Sequence, residues 1–126
     1  MAQGRIKLSA TVLGAPDPRA LANFYAQLLG WNFTANEPGW VTLRPPNGGT
    51  GLSFQEEVDY SRPVWPQKPG EQQMMMHLDI GVDDLQTSVK RAIELGASLA
   101  EFQPQEDVRV MLDPAGHPFC LFPADF

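Results

Sequence analysis

His77-Leu78-Asp79-Ile80-Gly81-Val82-Asp83-Asp84-Leu85 reads as a strand that runs straight into a helix cap. Leu78, Ile80 and Val82 alternate with His77 and Asp79, so the apolar residues share one face of the strand and the polar pair shares the other. Extended backwards, the strand covers residues 74–82, with Met75 on the polar side and Met76 on the apolar side. Asp83 or Asp84 caps the helix that follows. Leu85, Val89, Ala92 and Ile93 recur at helical spacing, and Gly96 ends the helix where a left-handed residue is needed.

The same order of signals occurs earlier. Residues 6–14 alternate loosely as a strand. Asp17 is an N-cap and Pro18 a first helical residue, where a missing N–H costs nothing. Leu21, Phe24, Tyr25, Leu28 and Leu29 follow at helical spacing, and Gly30 closes the helix. Three strands come next, over 31–35, 40–44 and 51–55, with turns at 36–39 and 45–49. After the second helix the strands fall at 98–102, 108–112 and 119–122, with a turn at 113–116.

The two halves are related by a fixed offset. Asp17 to Asp84 and Gly49 to Gly116 are each 67 positions apart, and Gly30 to Gly96 is 66. The chain is therefore one domain, 1–126, built from two tandem βαβββ modules: module one at 5–55, a linker at 56–73 and module two at 74–123. The class is α+β, with the helices on one sheet face. The linker carries Pro63, Pro66 and Pro69 at intervals of three with Trp65 among them, so an extended connection that packs its tryptophan on the domain is expected.

The 15 acids outnumber the nine bases, and eleven of the acids lie within residues 56–107. That balance argues against a nucleic-acid backbone as partner, which needs a basic surface, and against an anionic membrane. It suits a cationic ligand. Cys120 is the only cysteine, so a reduced, cytoplasmic setting is expected. The N-terminal residues lack the apolar run of a signal peptide.

These residues resemble the vicinal oxygen chelate superfamily of glyoxalases, bleomycin-resistance proteins and extradiol dioxygenases. The likeness rests on Asp17-Pro18 through Phe24-Tyr25, Leu28-Leu29-Gly30-Trp31, His77-Leu78-Asp79 through Asp84-Leu85, Leu95-Gly96-Ala97, and Asp113-Pro114-Ala115-Gly116-His117-Pro118-Phe119. The glyoxalase-like subgroup is the nearest in pattern. The resemblance implies a curved mixed sheet forming a cup, with the helices on its outer face, and a homodimer. Metal-dependent members hold a divalent ion with residues of the first and last strands of each module. Those positions fall here on Ala10, Ser53, His77 and Cys120. Ala10 has no ligand atom and Ser53 is a poor ligand, whereas Zn²⁺ usually wants at least three good protein ligands. No cofactor is therefore expected, with a divalent metal as the alternative.

Strand alternation also sorts the candidate site. Met75, His77 and Asp79 share the cup side with Cys120 and Phe122, and Ser53 and Gln55 share it with Thr42 and Arg44. At offset 67 from Thr42 and Arg44, Arg109 and Met111 join them. Trp40 and Trp65 supply an aromatic wall. The expected ligand-binding set is thus Trp40, Arg44, Ser53, Gln55, Trp65, Met75, His77, Asp79, Cys120 and Phe122. The leading expectation is metal-free binding of a small organic molecule, in concrete form the sequestration of a cationic antibiotic as in bleomycin-resistance proteins. A second is a lyase or isomerase with His77 transferring a proton and Asp79 or Arg109 as partner. A third is a protein-interaction module with no small-molecule site. Asp79 is also a candidate for an internal salt bridge with Arg44 or Arg109, and His77 for a purely structural bond to Asp79.

Overall fold

The computed structural model describes residues 4–126; Met1 to Gln3, the start of the stretch read for a leader, lie outside the described residues. The chain divides into two units, Met1–Val58 and Asp59–Phe126. Each is one βαβββ module.

In the first unit β1 (Ala10–Ala15) leads to α1 (Pro18–Leu29), then β2 (Asn32–Glu37), β3 (Trp40–Arg44) and β4 (Gly51–Glu56). The sheet order is β1-β4-β3-β2, with β1 parallel to β4 and the other pairs antiparallel. Asp17 Oδ1 accepts from the Ala20 N–H at 3.2 Å, and Gly30 closes the helix at φ 72°. α1 buries Leu21, Ala22, Phe24, Tyr25 and Ala26. The Tyr25 ring stacks on Phe54 at 5.9 Å, and Val41 and Leu43 fill the floor beneath them.

The second unit repeats the plan with β5 (Leu78–Val82), α2 (Leu85–Leu95), β6 (Ser98–Leu99), β7 (Arg109–Leu112) and β8 (Pro118–Pro123), in the order β5-β8-β7-β6. Asp84, not Asp83, is the cap: it accepts from the Thr87 N–H at 3.0 Å. α2 buries only Ala92, and Ile93 is nearly half exposed because the 3.6-residue period turns it to the edge of the stripe. Met111, Phe119 and Leu121 make the core of this sheet.

The register confirms the repeat. Val12 pairs with Ser53 in β1 and β4, and Asp79 pairs with Cys120 in β5 and β8, each 67 positions on. The third strand departs from it. Val41 faces Phe54, whereas Arg109 faces Leu121, a step of 68. A slip of one residue turns every side chain of a strand to the opposite face. Val110 therefore stands opposite Cys120, and Arg109 and Met111 stand opposite Leu121 and Phe119 on the core side. This corrects the expectation that Arg109 and Met111 line the cup.

One further expectation changes. β1 starts at Ala10 and β5 at Leu78, later than expected, and Ile6, Leu8, Met75 and Met76 before them are largely exposed. The segment after Val58 packs its tryptophan on the domain, as expected. Its backbone closes on itself where the Val64 N–H donates to Gln72 O at 2.9 Å. Its side chains grip the second module. The Tyr60 hydroxyl donates to Ala115 O at 2.8 Å and lies 3.2 Å from His117 Nε2. Arg62 donates to Pro114 O at 3.2 Å, and the Trp65 indole N–H donates to Phe102 O at 3.2 Å. Gly116 sits at φ 90°, which favours glycine, and the Arg62 guanidinium lies where a Cβ would fall, 2.8 Å from its carbon. Burial and the nearby Asp113 push the Tyr60 hydroxyl up to about 12, against the opposing pull of Arg62.

Candidate functional site

The parallel pairing of β5 with β8 sets Asp79 beside Cys120. His77 precedes β5 by one residue and shares the Asp79 side. Its Nε2 lies 3.0 Å from Asp79 Oδ1. The Cys120 thiol lies under the influence of the same Asp79 carboxylate. The three ligating atoms lie within 4.8 Å of one another. Phe122, two residues on from Cys120, shares this face, and a Cβ on Gly81 opposite would reach its ring at 3.6 Å.

Around this cluster the second unit forms a hollow of about 310 Å³. One side is the strands, with His77, Asp79, Cys120, Phe122 and Pro123. The other is the loop between β6 and β7, with Gln105, Asp107 and Val108. Two carboxylates line it, and neither lysine nor arginine does. It is open: His77 and Asp79 keep 40% and 62% of their side-chain surface in solvent.

The other expected site residues are placed differently. Arg109 is held by three loop carbonyls, donating to Gln105 O, Glu106 O and Val108 O at 3.2, 2.9 and 3.0 Å. The pair found for Asp79 is therefore with His77 and not with Arg109. Arg44 binds Ser9, through both its carbonyl and its hydroxyl, and Gly49 O. Trp40 and Gln55 pair across β3 and β4, Ser53 is buried nearby, and Gln55 donates to Glu57 at 2.6 Å. Trp65 lies against Phe102, with ring centres 6.2 Å apart, and Met75 is 82% exposed. Of the expected set, the structure brings His77, Asp79, Cys120 and Phe122 into one hollow. Sequence reasoning missed Gln105, Asp107, Val108 and Pro123. The acid-rich run Glu101 to Asp107, directly before a strand of the second module, is the signal that could have pointed to Asp107.

The thiol of Cys120 is raised, first by burial, then by the negative charge of Asp79, then by the hydrogen bond it gives that carboxylate. Alkylation by iodoacetamide, which needs the thiolate, is therefore expected to be slow near neutral pH and to accelerate only as pH climbs above the ordinary thiol range. In Asp79→Asn the midpoint of that pH–rate curve moves down, but not fully back, because burial remains. An unmoved midpoint would remove Asp79 as a cause.

The glyoxalase-like domain family matches residues 10–122, from the start of β1 to the last residue but one of β8. The chain belongs to the glyoxalase-like family. Solved relatives share the fold. A possible glyoxalase from Bacillus cereus is 13% identical, with a TM-score of 0.66 over 94% of this chain and 99% of that one. A glyoxalase/bleomycin resistance protein/dioxygenase family enzyme from Burkholderia phytofirmans PsJN is 19% identical, with a TM-score of 0.64 over 92% and 97%. A glyoxalase-related enzyme from Fulvimarina pelagi is 19% identical, with a TM-score of 0.66 over 94% and 88%. No curated protein matches the chain. Membership places this protein in the vicinal oxygen chelate superfamily, as the repeat implied. None of its helices is long and apolar enough to cross a membrane, among the described residues.

The family's divalent-ion positions are only half furnished here. Of its four positions, Ala10 offers no donor and Ser53 is a buried hydroxyl. The other two positions, His77 and Cys120, lie with Asp79 in one group whose donor atoms are within 4.8 Å of one another, and Asp79 already pairs with His77 at 3.0 Å.

Proposed function

We propose that the hollow of the second module binds a small organic cation without a metal ion. The observation that carries this is a pair of carboxylates, Asp79 and Asp107, lining one hollow that no lysine or arginine enters. A cationic amine or amidine gains charge-assisted hydrogen bonds there. Phe122, Val108 and Pro123 offer apolar surface to the rest of the ligand. The volume, about 310 Å³, is at the small end for ligand sites and suits one ring or a short chain at a time. Sequestration of a cationic antibiotic, with only part of the drug seated, is the concrete form of this reading. Kinship with a family that includes a glyoxalase/bleomycin resistance protein/dioxygenase enzyme supports it.

The test is an amide-resonance titration in a chelator-containing buffer, with benzamidinium as the cation and benzamide as its neutral isostere. Benzamidinium should shift the His77, Asp79 and Cys120 amides and saturate, and benzamide should bind about tenfold more weakly or worse, the equivalent of one lost charged hydrogen bond. Equal response to both probes, or binding that appears only on adding Zn²⁺ or Ni²⁺, would overturn the proposal.

A further inference from the structure

The two modules differ most between their second and third strands. In module one β2 runs six residues and pairs with β3 from Asn32↔Arg44 to Glu37↔Trp40. In module two β6 is two residues long, and the chain leaves the sheet after Ala100 donates its N–H to Val110 O at 3.0 Å. Phe33 and its partner Leu43 are ten positions apart, whereas Leu99 and its partner Met111 are twelve. Module two has spent a strand on a loop two residues longer, and that loop is the wall carrying Gln105, Asp107 and Val108.

Leaving the sheet should strand the N–H of Val110, a residue that is 5% exposed and whose carbonyl Ala100 already meets. Gln103 prevents this. Its Oε1 accepts from the Val110 N–H at 2.8 Å, and its Nε2 donates to Val110 O at 2.9 Å and to Ala100 O at 2.8 Å. One carboxamide imitates the missing strand and turns the chain aside. Farther along, Arg109 gathers the carbonyls of Gln105, Glu106 and Val108. The Arg109 guanidinium is thereby held on the loop backbone.

Resting on the cation-binding reading above, we infer that Gln103 is a positioning residue that holds the 101–108 loop as the second wall of the hollow, and that Asp107 on that wall determines its selectivity for positive charge. Asp79 alone would leave a single carboxylate half-satisfied by His77. The loop adds a second carboxylate to the lining without adding a lysine or arginine to it.

Cys120 gives a readout that needs no ligand, because it is the only cysteine and lines the hollow. The rates of its reaction with three methanethiosulfonates are compared: a trimethylammonium, a sulfonate and a neutral methyl reagent. Wild type should favour the cationic over the anionic reagent by about tenfold, the scale on which a charged cleft concentrates a counter-ion. Asp107→Asn should cut that ratio about threefold or more and leave the neutral rate unchanged. Gln103→Leu, which keeps bulk but none of the three hydrogen bonds, should cut the ratio similarly and raise the neutral rate about threefold as the wall opens. Glu101→Gln, outside the hollow, should do neither. Gln103→Leu with native circular dichroism, an unchanged ratio and an unchanged neutral rate would overturn the positioning role. An unchanged ratio in Asp107→Asn would overturn the selectivity role. A wild-type ratio near one would sink the cation-binding reading and the selectivity role with it, while the Gln103 role would still stand or fall on the neutral rate.

Discussion

Asp113→Ala is expected to be among the most destabilising single changes in this protein, costing roughly 3 kcal/mol. Asp113 is 2% exposed. Its Oδ1 accepts two backbone N–H groups, from Ala115 and His117, each at 2.9 Å. Alanine leaves both donors without that acceptor inside the turn, and each orphaned donor costs about 1–3 kcal/mol. The turn is also what Tyr60 and Arg62 hold, through Ala115 O and Pro114 O, so its loss loosens the segment that joins the second module to what precedes it. For a chain of this length the melting temperature should fall by roughly 10 °C. Asp113→Asn keeps a neutral acceptor and should cost about 1 kcal/mol. An ultraviolet titration gives a second reading. Tyr60 should ionise near pH 12 in the wild type and lower in Asp113→Ala, where both the neighbouring charge and part of the burial are gone. A variant within about 0.5 kcal/mol of wild type, with Tyr60 unmoved, would show that the turn is held by its backbone alone.

The fold was legible because its signals are local and occur twice. Asp17 and Asp84 cap helices, Gly30 and Gly96 end them, and each acts within a few residues of its own position. That Asp79 and Cys120 share a face was also legible, from the alternation of their strands. Arg109 was misplaced by the same rule applied one strand too far. Two residues inserted between β6 and β7 shift β7 by one position relative to β3, and a one-residue shift reverses a strand's faces. Nothing in the alternation of Val108, Val110 and Leu112 against Arg109 and Met111 announces this, because all but Arg109 are apolar. The loop wall was illegible for a different reason. Its course is set by the Gln103 carboxamide standing in for a strand, a contact between side chain and backbone that has no periodicity to read.

The first module shows what the second would be without its site. Val12 and Ser53 occupy the places of Asp79 and Cys120, on the same parallel pair and in the same register. An apolar side chain and a hydroxyl stand there in place of a carboxylate and a thiol. The fold therefore does not demand the polar cluster: the same backbone pairing forms without it. A group that the scaffold does not need, half open to solvent, is consistent with the ligand site proposed above.

Asp79→Asn tests that explanation most directly. The substitution keeps the shape of the side chain and an oxygen for His77 but removes the charge. The His77–Asp79 contact is 3.0 Å, yet both side chains are well exposed, and exposed pairs contribute about 0–1 kcal/mol. Stability should therefore stay within about 1 kcal/mol of wild type. Binding should not. A charged hydrogen bond is worth about 1.5–3 kcal/mol, so benzamidinium affinity should fall by roughly tenfold to a hundredfold, with benzamide unaffected. The two readings of the pair then separate cleanly. A satisfied structural pair predicts lost stability and unchanged titrations, whereas a ligand anchor predicts intact melting and lost cation affinity. His77→Gln sharpens the contrast. It withdraws the imidazole that competes for the Asp79 oxygen while leaving the carboxylate in place, so cation affinity should hold or rise. If His77→Gln weakens binding as much as Asp79→Asn does, the imidazole itself contacts the ligand, and the anchor is the pair and not the carboxylate alone.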